Sequence, residues 1–119
     1  MIKGVGIDIV EIKRVEAIVA RQPRFAKRVL TEKELKTFAA LAGGRQIEFL
    51  AGRFAAKEAF AKAIGTGFGK NLSIQDIEIL ADELGKPTVH GKLEQNEVIH
   101  ISITHSKEYA VAQVIIEQS

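Results

Sequence analysis

Residues 53–67 read Arg-Phe-Ala-Ala-Lys-Glu-Ala-Phe-Ala-Lys-Ala-Ile-Gly-Thr-Gly, a stretch with helical spacing that is apolar on nearly every side. It nevertheless carries Glu58 and Lys62. Residues 4–10, Gly-Val-Gly-Ile-Asp-Ile-Val, form a strand-like apolar run with a single carboxylate, Asp8. A carboxylate in a buried element is costly unless it is paired or binds a cation. One carboxylate on a strand and one on a helix therefore indicate a shared metal site.

The hydrophobic periodicity of the remaining chain predicts an α+β fold. It predicts a strand over 2–10, helices over 11–22, 32–41 and 46–64, and four further strands near 74–79, 88–90, 98–104 and 109–116. Pro23 ends the first helix, Thr31 and Glu34 form a capping box at the second, and Gly65 stops the third. We expect one domain over 1–119, with an N-terminal strand, three helices and then a mostly antiparallel sheet.

Composition excludes several classes of protein. The chain has 119 residues, of which 46% are hydrophobic and 27% charged, and it contains no cysteine. Disulfides, thiolate nucleophiles and cysteine-based zinc sites are therefore excluded. Lys3 and Asp8 interrupt the first apolar run, and the sequence has no run of 18 apolar residues. We therefore expect a cytoplasmic protein that does not span a membrane.

The candidate metal ligands Asp8 and Glu58 suit Mg²⁺ better than Zn²⁺, because Mg²⁺ prefers oxygen ligands and often binds one or two carboxylates together with substrate phosphates. The alternative is that both carboxylates are ordinary salt-bridged residues. Lys62 lies four positions after Glu58. It either pairs with Glu58 as an ordinary i,i+4 ion pair or serves as a cation that neutralises phosphate beside the metal.

Two other features permit more than one interpretation. Residues 65–70 resemble a phosphate-binding loop, but they lack the Walker pattern and follow a helix C-terminus, so we interpret them as a helix stop. His105 continues the inward register of Ile99, Ile101 and Ile103. Most such histidines are structural, although its place at a strand end also suits contact with a substrate.

The N-terminal region is basic. Residues 1–30 contain seven lysines and arginines against three acidic residues, which favours an acidic partner or a polyphosphate. One stripe with 4-3-4-3 spacing alternates arginines with apolar side chains: Arg14, Ile18, Arg21, Phe25 and Arg28. A solvated basic face would explain the arginines but not Ile18 and Phe25. The stripe therefore predicts a docking surface for an acidic amphipathic helix.

Four segments carry a family pattern: Gly-Ile-Asp-Ile-Val-Glu-Ile at 6–12, Arg-Phe-Ala-Ala-Lys-Glu-Ala-Phe-Ala-Lys-Ala-Ile-Gly at 53–65, Gly-Lys-Pro at 85–87, and Ile-Ser-Ile-Thr-His-Ser at 101–106. In this order and over essentially the whole chain, they resemble the holo-[acyl-carrier-protein] synthases, which are small bacterial 4′-phosphopantetheinyl transferases. Members of that family move the phosphopantetheine arm of coenzyme A onto a serine of apo-acyl carrier protein, release adenosine 3′,5′-bisphosphate, and serve fatty acid biosynthesis.

The resemblance implies roles for individual residues. Asp8 and Glu58 would hold Mg²⁺, and Lys62 would contact the phosphates. Coenzyme A would be surrounded by Arg53, Lys62, Gly65, Pro87 and His105. The stripe of Arg14, Ile18, Arg21, Phe25 and Arg28 would bind acyl carrier protein. The serine proton would pass to Glu58, directly or through a metal-bound water.

The family resemblance also implies a homotrimer with each active site at a subunit interface. We further expect the outward faces of the last two strands, carrying Val98, Ala110, Ala112, Val114 and Ile116, to need cover from a neighbouring sheet.

Two other functions remain open at this point: a small basic module that binds RNA or another polyanion, and a different Mg²⁺-dependent diphosphate enzyme. Seven aromatic residues without an obvious stacking platform argue against a nucleic-acid partner.

Overall fold

The elements follow the predicted order, with two additions. The computed structural model describes residues 1–91 and 93–119. The elements are β1 (Ile2–Glu11), α1 (Ile12–Arg21), α2 (Phe25–Val29), α3 (Glu32–Ala40), α4 (Gly44–Ile64), a 3₁₀ turn (Ile74–Asp76), β2 (Ile77–Ala81), β3 (Pro87–Gly91), β4 (Glu97–His105) and β5 (Tyr109–Gln118). Helix α2 and the 3₁₀ turn are the additions, and β2 consequently begins at Ile77 rather than near residue 74.

The helix boundaries follow from local chemistry. Helix α1 ends at Arg21, two residues before Pro23, as predicted. At the start of α3 the capping box is confirmed, because the Thr31 side chain accepts from the Glu34 N–H and the Glu34 carboxylate accepts from the Thr31 N–H. Helix α4 ends at Ile64, and the capping residue Gly65 has a φ of +95°, which lies in the left-handed region that favours glycine.

The five strands form two antiparallel sheets rather than one. The larger sheet has the order β1-β5-β4, and the smaller sheet pairs β2 with β3. The α+β class is confirmed. None of the helices formed by the described residues is long and apolar enough to cross a bilayer.

Helix α4 covers one face of the larger sheet, and this corrects one prediction. The β5 row of Ala110, Ala112, Val114 and Ile116 is buried, with at most 2% of each residue exposed. The register pairs Ile101 with Val114 and Ile103 with Ala112, so these β4 and β5 rows share one face. The expectation of an outward face was therefore wrong for the β5 row, since the sequence does not display the register between two strands, whereas Val98 of β4 is 49% exposed as expected.

The apolar surface that lacks cover lies on the other face of this sheet. Val5, Ile7 and Ile9 of β1 are 54%, 58% and 62% exposed. Val111 and Ile115 of β5 stand opposite Ile9 and Val5 in the register and extend the same face. We call these five residues the outer sheet face. Contiguous exposed apolar surface of this kind marks an interaction site.

Two glycines allow α4 to lie directly on β1. A Cβ atom built at Gly4 would stand 1.9 Å from the Ala63 carbonyl oxygen, and one built at Gly6 would stand 1.9 Å from the Ala59 carbonyl oxygen. Only glycine therefore permits this approach of helix to strand. The approach brings the strand carboxylate and the helix carboxylate to the same place.

The substitution Gly6→Ala is expected to destabilise the protein by about 3 kcal/mol or more, because its methyl group meets backbone that cannot rotate away. Urea denaturation measures the change. The matched control is Gly44→Ala at the start of α4, where a Cβ meets nothing within 4 Å. Equal stability of the two variants would contradict the close packing of α4 on β1.

Candidate active site

Asp8 lies on β1 and is paired with a lysine of α4. Its Oδ1 is 3.0 Å from Lys62 Nζ, and that ammonium also donates to the Ile7 carbonyl oxygen at 3.0 Å. The Asp8 side chain is 17% exposed and that of Lys62 is 56% exposed. Lys62 thus forms its ion pair with the strand carboxylate rather than with Glu58, four residues before it.

Glu58 is half-buried, and its carboxyl group has no direct partner among the described residues. Burial raises the pKa of Glu58, and the negative charge of Asp8 raises it further, while Lys62 lowers it. Among the described residues, the Glu58 carboxylate has neither a hydrogen bond nor an ion pair. Its oxygens are therefore available to a cation or to a proton.

The oxygen donors at this point fit a metal that is shared with a substrate. The described residues include no group of three or more His, Cys, Asp or Glu side chains that could hold a metal ion. A metal ion bound by these two neighbouring carboxylates would therefore need further ligands from water or phosphate. This donor set is the one that Mg²⁺ uses in phosphate-binding sites.

Asp8 and Glu58 line a crevice of about 370 Å³ between β1, α1 and α4. Its wall also contains three members of the predicted docking stripe, Arg14, Ile18 and Phe25. The ring of Phe25 packs edge-on against that of Phe54, with centroids 5.6 Å apart. The crevice therefore joins the candidate metal ligands to the basic helix α1.

The stripe itself is interrupted. Arg21 is the last residue of α1, and Phe25 begins α2, so the five residues do not lie on one straight helix. Arg28 lies farther along, where it lines a separate cavity of about 450 Å³ with Arg24 and Lys27. The structure thus brings three members of the stripe to the crevice and places Arg28 in a second basic region, while Arg21 lines neither cavity.

Arg53 and His105 line a different cavity, of about 360 Å³. The α4 residues around it recur with helical spacing on one face: Arg45, Glu48, Phe49, Gly52 and Arg53. His105 lies at the end of β4, where its Nδ1 is 2.9 Å from Glu48 Oε2. Arg45 and Arg53 therefore border a space that suits an anion, while the Glu48 carboxylate in the same wall is paired with His105.

Pro87 and Gly65 lie in further places. Pro87 is the first residue of β3 and lines a cavity of about 510 Å³ between the two sheets. Gly65 follows the last turn of α4. Among the described residues, Arg53, Pro87 and His105 do not line the crevice of Asp8 and Glu58. The predicted ligands of coenzyme A are therefore divided within one chain.

Sequence reasoning missed four residues near these sites. Glu34 was identified only as a capping residue, yet it is fully buried and forms a 2.7 Å ion pair with Lys57, which is also fully buried. Lys57 could have been noticed in the sequence because it is a charged residue among the alanines of the buried face of α4. Arg45 could have been found from the i,i+4 series 45, 49 and 53 that ends at Arg53, whereas Glu48 lies five positions before Arg53 and has no such signal.

The comparisons with known proteins decide the family. The model of the 4′-phosphopantetheinyl transferase superfamily matches residues 4–114. The chain is also 58% identical over 118 residues to the holo-[acyl-carrier-protein] synthase of Bacillus pumilus, covering 99% of this chain and 98% of the relative. The chain belongs to this family. It is therefore an enzyme of the holo-[acyl-carrier-protein] synthase family, as the resemblance predicted.

Solved structures of this synthase family share the whole fold. The holo-(acyl-carrier-protein) synthase of Bacillus anthracis, crystallised in complex with CoA (3′,5′-ADP), is 50% identical with a TM-score of 0.93, over 100% of this chain and 99% of that one. The synthase of Neisseria meningitidis is 37% identical with a TM-score of 0.90, over 99% of this chain and 100% of that one. The phosphopantetheinyl transferase fold predicted for this chain is thus confirmed.

Proposed function

We propose that this enzyme transfers the 4′-phosphopantetheine arm of coenzyme A to a serine of apo-acyl carrier protein, in a Mg²⁺-dependent reaction. The observation that carries the proposal is the grouping of Asp8, Glu58 and Lys62 at a crevice whose wall includes the basic helix α1. Relatives with the name of this synthase and a homologous structure that contains coenzyme A support the same reaction.

The bond changes are simple. The serine Oγ bonds to the phosphorus that carries the pantetheine, and the bond from that phosphorus to the bridging oxygen of the diphosphate breaks. Adenosine 3′,5′-bisphosphate leaves. Asp8 and Glu58 would hold Mg²⁺. When bound, the metal ion would neutralise the negative charge of the diphosphate. Phosphoryl transfer depends mainly on such positioning and electrostatic stabilisation.

Glu58 is the proposed base for the serine proton, directly or through a water molecule. The raised pKa of Glu58 brings its basicity closer to neutral pH, where a general base works best. Lys62 is held by Asp8 and by the Ile7 carbonyl, so its ammonium is fixed beside the Asp8 carboxylate. We assign it to the phosphate oxygens of coenzyme A.

The remaining contacts to coenzyme A are assigned to Arg53, Gly65, Pro87 and His105. Since these residues lie apart from the crevice in one chain, we propose that neighbouring chains complete each site. The assembly would be a homotrimer joined through the outer sheet face, which exposes Val5, Ile7 and Ile9. Following the family resemblance, we place the enzyme in the cytoplasm and in fatty acid biosynthesis.

One assay tests the reaction. The enzyme is incubated with coenzyme A, Mg²⁺ and an apo-acyl carrier protein, and the carrier protein is analysed by mass spectrometry. We expect one phosphopantetheine group on its serine, and no product when Mg²⁺ is chelated. An unmodified carrier protein under saturating conditions would contradict the proposed function.

Charge reversal on α1 is expected to weaken the use of the carrier protein. Arg14→Glu and Arg21→Glu should raise its KM by about tenfold each at low salt, with little change in the KM for coenzyme A, because α1 is assigned to an acidic partner. The effect should shrink as ionic strength rises. Lys33→Glu on the exposed surface of α3 is the matched control. A raised KM for coenzyme A instead would make α1 a nucleotide site.

A further inference from the structure

A fully buried ion pair adjoins the candidate active site and takes no part in the proposed reaction. Lys57 Nζ and Glu34 Oε1 are 2.7 Å apart, and both side chains are 0% exposed. Removing two charges from water is costly, and apolar residues of similar volume often give a protein that is equally or more stable. Stability alone is therefore a weak reason for the pair, and its hydrogen bonds indicate another role.

The hydrogen bonds of this pair converge on β2. Glu34 Oε2 accepts from the Ile79 N–H at 2.8 Å, and Glu34 Oε1 accepts from the Thr31 N–H at 2.7 Å. The Lys57 ammonium also donates to the Val29 carbonyl oxygen at 2.7 Å. The pair thus joins the end of α2, the start of α3, the middle of α4 and strand β2 at one buried point.

The peptide groups of Ile79 connect the pair to Arg53. While the Ile79 N–H donates to Glu34, the Ile79 carbonyl accepts from Arg53 Nε at 3.2 Å. The Arg53 guanidinium also lies over the Phe49 ring, with its central carbon 4.5 Å from the ring centroid. Glu34 therefore fixes the strand segment that holds Nε of Arg53.

This arrangement leaves the outer part of Arg53 available. Among the described residues, its two Nη groups have no hydrogen-bond partner, and Arg53 lines the same cavity as His105. An arginine whose Nε is held and whose plane rests on an aromatic ring presents its Nη groups in a fixed direction. Such preorganisation strengthens binding of an anion.

We propose that Glu34 and Lys57 are positioning residues, which hold the peptide of Ile79 and through it orient the Arg53 guanidinium toward an anionic group of coenzyme A. The inference rests on the proposed function, because it takes Arg53 to contact coenzyme A. Neither Glu34 nor Lys57 touches the substrate in this arrangement, since both are buried beneath the cavity wall.

A pair of double variants separates positioning from charge. Both carry Lys57→Met, one with Glu34→Gln and the other with Glu34→Leu. Both remove the buried ions, but only the glutamine oxygen can still accept from the Ile79 N–H. We expect the leucine variant to raise the KM for coenzyme A about tenfold, and the glutamine variant to raise it less than about twofold. The KM for the carrier protein should stay unchanged in both.

Two single variants complete the design. Gln75→Leu removes a side chain whose Nε2 donates to the carbonyls of Lys27, Arg28 and Leu30, so it loosens α2 without touching Ile79. An equal rise in the KM for coenzyme A in this control would overturn positioning. Arg53→Ala tests the assignment of Arg53 to coenzyme A: if it leaves that KM unchanged, this assignment and the positioning proposal both fall, while mass spectrometry of the carrier protein tests the transfer reaction separately. If it raises the KM while the two double variants behave alike, positioning alone falls.

The Nε–H group of Arg53 gives a readout that does not need activity. In ¹⁵N–¹H spectra of the wild-type protein, this group should exchange slowly and resonate apart from the free arginines, because its hydrogen is bonded to Ile79. The signal should persist in the glutamine double variant and join the free arginines in the leucine one. A free, rapidly exchanging Arg53 signal in the wild-type protein would overturn the proposal.

Discussion

Replacing either Asp8 or Glu58 with alanine is expected to lower the transfer rate by at least about a hundredfold, the loss typical of removing a general base or a central electrostatic group. Each variant removes half of the proposed oxygen donor set, and Glu58→Ala also removes the proposed base. The measurement is the rate of carrier-protein modification at saturating coenzyme A and Mg²⁺. Near-normal activity in either variant would exclude this site.

Folding must be measured beside activity, and Glu58 supplies the control. Folding raises the pKa of Glu58. The free energy of unfolding therefore falls as the pH rises through that pKa and Glu58 loses its proton. The variant Glu58→Gln has no carboxyl group to deprotonate, so it does not lose stability in this way. It should therefore be more stable than wild type at neutral pH without Mg²⁺, and the difference should vanish below pH of about 4. A less stable Glu58→Gln at neutral pH would show that the carboxylate has a stabilising partner.

The strand and helix that carry these carboxylates could be predicted because their signals are local. The glycines of β1 and the alanines of α4 predict small faces, and Asp8 and Glu58 stand out within apolar runs. The structure adds the reason for the small faces: a Cβ at Gly6 would overlap the Ala59 carbonyl. Close packing and the candidate site therefore derive from the same residues.

Contacts between residues far apart in sequence could not be predicted in this way. Glu34 and Lys57 are separated by 23 positions, and spacing along a chain does not reveal such a partner. The faces of β5 were misassigned for the same reason, since the pairing of Ile101 with Val114 depends on register. Helix α2 has only five residues, too few for a periodic signal.

A charge on the outer sheet face is expected to dissociate the enzyme and abolish transfer. The substitution Ile7→Asp places a carboxylate where the proposed trimer buries an apolar side chain that is 58% exposed in the single chain. Light scattering should then give the mass of one chain, 13.0 kDa. The control is Leu84→Asp, the same change at a residue that is 93% exposed on the β2–β3 turn. Full activity at the monomer mass would contradict a site shared between subunits.

Mixed assemblies test the sharing directly. Glu58 and Arg53 line different cavities of one chain, so a shared site takes each from a different subunit. Glu58→Ala and Arg53→Ala should each be defective alone. Refolded together in equal amounts, they should recover about a quarter of the wild-type rate, since random assortment leaves both residues intact at about a quarter of the interfaces. If both residues served one chain's own site, every site would contain a defect, and mixing would recover nothing.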